Sequence, residues 1–99
     1  MVDLAHADRL QRAFASLLES LARRWLKQDV DYVSDEVAHG EYGDALENLV
    51  AIGLRNGKGF DAAQTRQIDA LAAAMEMTDS PFVMRLMDAT RNKDAARLR

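Results

Sequence analysis

Glu36 and His39 are the pair best spaced for chemistry. A glutamate and a histidine three residues apart project from one helix face, and such pairs bind metal in di-iron bundles. Those sites need two such pairs plus two further glutamates. The one other histidine, His6, has Asp3 three residues before it and no glutamate. The ligand count of a closed site is not met. The expectation is no metal and no cofactor, with His39 solvated or facing a partner. Carboxylate pairs such as Glu41 and Asp44 do acid–base work only in a cleft that pushes their pKa values apart. Their spacing puts them on the outer face of a helix, where they read as solvated acids. The chain has no cysteine, and Ser16, Ser20, Ser34 and Ser80 stand in no nucleophile context. Gly57-Lys58-Gly59 lacks the preceding strand and the further glycines of a phosphate-binding loop. These absences point away from an enzyme.

The stronger signal is one of charge. Between Lys27 and Arg55 there is no lysine or arginine, yet the segment carries Asp29, Asp31, Asp35, Glu36, Glu41, Asp44 and Glu47. The net charge of −3 hides this block, because all 13 basic residues lie outside it. A block of one sign makes a local field that the whole-chain total does not report. Acids near helix N-termini complement the macrodipole, which accounts for Glu41 and Asp44. Like charges at i,i+4 repel, however, so mixed charges would stabilise an isolated helix better. The alternatives are a solvated acidic face and a docking surface for something basic.

These residues must be carried by helices. The chain is rich in Ala, Leu and Met, with one proline and five glycines, and β-branched residues are scattered. Residues 4–27 read as one long helix with Leu10, Phe14, Leu17, Leu18, Leu21 and Trp25 on one face. Asp8 with Arg12 and Glu19 with Arg23 mark its wet side. A shorter helix over 29–39 has Val30, Val33 and Val37 inward and Asp31, Asp35 and His39 elsewhere. Gly40 breaks the chain. A third helix, 41–55, buries Tyr42, Ala45, Leu46, Leu49, Val50 and Gly53, and turns Glu41, Asp44, Glu47 and Asn48 outward. Asn56-Gly57 stops it, and Gly57-Lys58-Gly59 is a turn.

Asp61 caps a fourth helix over 62–76, with Gln64 as capping-box partner and Ile68, Leu71, Ala72 and Met75 inward. Ser80 and Pro81 start a fifth, which buries Phe82, Val83, Leu86 and Met87. The helical spacing of Met75, Met77, Met84 and Met87 favours core over an adaptable binding surface. Residues 91–99 are polar and basic and read as a frayed tail. The expected fold is all-α: a compact single-domain bundle of four to five helices spanning residues 1–99. No run has signal-peptide or membrane-span character, so cytoplasmic residence is expected without membrane contact. The acidic pI of about 5.3 argues against nucleic-acid binding.

The stretch from Asp35 to Leu49 reads as an acid, then His39-Gly40-Glu41, a small residue, then Ala45-Leu46-Glu47 and a leucine. It resembles a pattern of small bacterial immunity proteins. Ile68, Leu71 and Met75-Glu76-Met77 resemble the closing helix of the same group. These are the helical immunity proteins of polymorphic toxin systems, including contact-dependent growth inhibition and Maf-type loci. The resemblance covers about residues 29–78. It implies a non-enzymatic inhibitor that binds one cognate toxin domain. Many such toxins are nucleases with basic clefts, where acidic side chains would take the positions of phosphates. With the acidic window it nominates Asp31, Tyr32, Asp35, Glu36, His39, Glu41, Asp44, Glu47 and Asn48 as partner contacts. Two alternatives stay open: a helical adaptor for a basic protein that is not a toxin, and a small metal-dependent enzyme built on Glu36 and His39. A DNA-binding regulator would need a basic recognition helix, and only residues 85–99 are locally basic.

Overall fold

The computed structural model describes residues 4–55 and 59–88, which form five helices and, among the described residues, no strand. They are α1 (Leu4–Leu21), α2 (Lys27–Ala38), α3 (Tyr42–Arg55), α4 (Ala62–Ala74) and α5 over residues 81–88. The chain is an all-α bundle, as its composition predicts. α1 packs against α2 and α4, and α3 packs against the same two. The four helices therefore close a ring in which the α2–α3 seam lies across from the α1–α4 seam. The predicted frayed tail and the Asn56-Gly57 stop fall outside the described residues.

Apolar spacing explains which faces meet. Leu10, Phe14, Leu17, Leu18 and Leu21 recur at three- and four-residue steps, and all are buried. Val33 and Val37 from α2, Leu46, Leu49 and Val50 from α3, and Ile68 and Leu71 from α4 meet them. α5 closes the end with Val83 and Leu86. Each large apolar side chain buried this way contributes roughly 1.5–3 kcal/mol against leaving it in water. Met75, Met77 and Met87 pack on the core as their spacing predicts, whereas Met84 is 53% exposed.

The first expected helix is too long. α1 stops at Leu21, where the amides of Arg24 and Trp25 both donate to the Leu21 carbonyl and turn the chain. The turn has a distant cause. Trp25 is swung inward beside Phe60, with ring centroids 6.0 Å apart, and Arg24 Nη2 donates to Gln64 Oε1 at 2.7 Å. Leu26 is extended and stands before α2, so α2 begins at Lys27 rather than 29. The Asp8–Arg12 pair forms at 3.1 Å, but Glu19 and Arg23 form no ion pair. Arg23 lies beyond the helix end and loses the i,i+4 spacing that would join them.

Gln64 anchors the other side of that turn. Asp61 Oδ1 accepts from the Gln64 amide at 2.7 Å, and Gln64 Oε1 accepts from the Asp61 amide at 3.0 Å, which is the predicted capping box. The same buried carboxamide donates to Ser20 Oγ at 3.1 Å while accepting from Arg24. One side chain thus satisfies the start of α4, the end of α1 and the turn after it. Gly53 fits its place by lacking a side chain, because a Cβ there would fall on the Phe60 ring.

Candidate functional site

The candidate contacts sit around the α2–α3 junction, and a local device sets the angle there. His39 ends α2, Gly40 has φ +75°, and the Glu41 amide donates to the Glu36 carbonyl at 2.9 Å. The Gly40 amide donates to Val37 O at 3.0 Å. These two bonds and the left-handed glycine are a Schellman motif. It stops α2 and launches α3 within three residues. Glu36, on the last turns of α2, is thereby brought back over Glu41 and Asp44.

The result is a cluster of carboxylates. Oxygens of Glu36, Glu41 and Asp44 all lie within 4.8 Å of one another. Glu41 and Asp44 are exposed and Glu36 is half-buried. Among the described residues no lysine or arginine pairs with any of the three. Like charges this close repel, and a cation placed among them would be attracted by all three. Three hard oxygen donors would suit magnesium or calcium better than zinc. His39 does not join Glu36 in such a set. Its Nδ1–H donates to the Asp35 carbonyl at 2.7 Å, and the same nitrogen lies 3.7 Å from Asp35 Oδ1. The Glu36–His39 spacing therefore caps a helix rather than converging on one point.

The remaining nominated residues divide into free and engaged groups. Tyr32 is 58% exposed, and with Asp31, Asp35 and His39 it lies on the open side of α2. Asp31 is not bare, because Lys27 Nζ donates to its Oδ2 at 2.7 Å. Lys27, at the edge of the acidic window, thus reaches one helical turn into it through an i,i+4 relation. Asn48 and Glu47 are not outward-facing as expected. Asn48 Nδ2 donates to both carboxylate oxygens of Glu36 at 2.9 Å, and joins α2 to α3. Glu47 Oε2 accepts from Ser80 Oγ at 3.2 Å, with Glu47 half-buried and Ser80 buried. Ser80 starts α5 as expected, its carbonyl accepting from the Met84 amide at 2.9 Å, and its hydroxyl also ties α5 to α3. No local signal marks that contact, which spans 33 residues. Tyr42 lies half-buried with its ring stacked on Phe14, centroids 6.3 Å apart, and its hydroxyl accepts from Gln11 Nε2.

His39 gives this junction a pH dependence. Its bond to the Asp35 carbonyl, then the Asp35 carboxylate, raise its pKa above the ordinary 6.5, with Glu41 adding to the effect against slight desolvation. A histidine whose folded pKa exceeds its unfolded one stabilises the fold when protonated. That contribution is complete below about pH 6.5 and fades as pH rises through the folded value. An NMR titration of His39 should give a pKa above that of His39 in the urea-unfolded chain. Asp35→Asn should lower it. A folded value at or below the unfolded one would remove the effect.

Comparison with models of protein families, with curated proteins and with solved structures returned no match. Among the described residues no helix is long and apolar enough to cross a membrane.

Proposed function

We propose that this chain is an immunity protein that neutralises a cognate bacterial toxin domain, a nuclease with a basic cleft, by covering it with the α2–α3 acidic face. It acts by stoichiometric binding in the cytoplasm of the producing cell, and performs no catalysis. The observation that carries this reading is the Glu36, Glu41 and Asp44 cluster, held together with no basic partner among the described residues. Such an arrangement costs stability through repulsion. An arginine or lysine of a partner would relieve that repulsion through charge-assisted hydrogen bonds. Complementary fields raise association rates and reject partners of the wrong charge. Tyr32, exposed beside Asp31 and Asp35, supplies an aromatic contact of the type enriched at interface centres. The sequence resemblance over residues 29–78 points the same way.

A toxin domain encoded beside this gene would be the reagent that tests it. Mixed with the purified full chain, it should form a one-to-one complex with a dissociation constant near 1 nM, about −12 kcal/mol. Its nuclease activity should disappear at equimolar ratio. Failure to associate at micromolar concentrations in low salt would overturn the reading. Inhibition of a basic partner that is not a toxin would leave the face but change the class to adaptor.

A further inference from the structure

The α1–α4 seam, across the bundle from the acidic face, holds an open groove of about 270 Å³. Leu10 and Leu71 form its floor, and Ala13 and Ala70 are small enough to leave the space between the helices unfilled. The polar groups that line it are Arg9, His6 and Gln67. An apolar hollow between bundle helices with a few polar groups at its edge is the usual form of a small-molecule site. We propose that this groove binds a small monocarboxylic acid, with its apolar body on Leu10 and Leu71 and its carboxylate at Arg9.

Charge and size choose this occupant. Among the described residues Arg9 has no carboxylate in ion-pair range, and its one side-chain hydrogen bond, from Nε to the Ala5 carbonyl, is long at 3.4 Å. Among the described residues no carboxylate lines the groove. The nearby acid Asp8 is held by Arg12 at 3.1 Å. Gln67 Nε2 is only loosely held by Ser16 Oγ at 3.4 Å, which leaves its amide at the groove's edge. A guanidinium beside an apolar floor fits a carboxylate on a hydrocarbon body, since the planar fork donates to both oxygens. At roughly 30 Å³ per water-sized group, the groove holds about nine non-hydrogen atoms. That suits a free acid of six or seven carbons and is too little for a folded peptide segment. None of the acidic-face residues lines this groove, so binding here is independent of the proposed function.

The test is an NMR titration of the isotope-labelled full chain with hexanoate, and with 1-hexanol as the neutral match. Hexanoate should give saturable shifts confined to residues 6–13 and 67–74, and should bind at least threefold tighter than hexanol. Arg9→Ala should erase that difference, because it removes the charge and keeps the floor. Ala70→Leu, an exposed position, should fill the hollow and abolish both. No saturation by about 10 mM, the weak limit for a ligand of this size, would overturn the proposal. Equal binding of the acid and the alcohol, or binding that survives Ala70→Leu, would do the same. Tighter binding of acetyl-Ala-Leu than of hexanoate would assign the groove to polypeptide ends and remove the free acid.

Discussion

Phe14→Ala should cost this protein about 3–5 kcal/mol, the usual loss for deleting a fully buried aromatic ring. Phe14 has no exposed surface and lies in the middle of the α1 stripe. Its ring also supports Tyr42, the first residue of α3, at a centroid distance of 6.3 Å. A domain of this size has a total stability of about 5–15 kcal/mol. The substitution therefore removes a large fraction, and each kcal/mol lowers the melting midpoint by about 4–8 °C. Phe14→Leu keeps part of the volume and should cost clearly less. Urea titrations of the two variants make the comparison. A loss below about 1 kcal/mol for Phe14→Ala, at unchanged slope, would show that the core is centred elsewhere.

Changing Glu41 and Asp44 together to lysine should have the largest effect on partner binding. Both side chains are exposed and neither makes an ion pair among the described residues, so folding should lose only their macrodipole contribution, about 1–2 kcal/mol, partly offset by relief of repulsion with Glu36. The field of the junction, however, reverses. On our reading of function, the association rate with the toxin domain should fall at least 10-fold in low salt. The deficit should shrink in about 0.5 M salt, where screening acts within a few ångströms. Glu47 is a poor member of such a set, since lysine there would also break the bond to Ser80 and loosen α5. Asp69→Lys, on exposed α4 surface, is the control and should change little. Stopped-flow association at two salt concentrations reads the outcome. An on-rate untouched by the double change would remove the electrostatic mechanism.

Features written in neighbouring residues were legible before the structure, and features made by distant ones were not. Asp61 and Gln64 announce their capping box three residues apart, and Gly40 announces the end of α2. The stop of α4 is built from the same bonds as that of α2, with Met77 N donating to Ala72 O and Glu76 N to Ala73 O. Its left-handed residue is Glu76, at φ +56°. No glycine marks it, so the helix reads two residues too long from sequence. A non-glycine residue held there costs about 1–2 kcal/mol, which the surrounding packing must supply. The end of α1 was illegible for a related reason. Trp25 continues the apolar spacing, but it is drawn off the helix by Phe60, 35 positions later. In the acidic window, charge alone could not separate Glu41 and Asp44, which face outward, from Glu47, which is joined to Ser80. Asn48 likewise reads as a polar surface residue from sequence, because its partner Glu36 stands on another helix.

The elbow at Gly40 also says when the negative ledge comes into being. Its three acids belong to nine consecutive residues, 36–44. One backbone reversal brings them together, with little loss of loop entropy and no need for remote segments to find each other. As the ribosome releases the chain from its N-terminus, this stretch emerges well before α4 and α5. If its opponent is the toxin we infer, a nascent protector would present its charged edge before its own synthesis is finished.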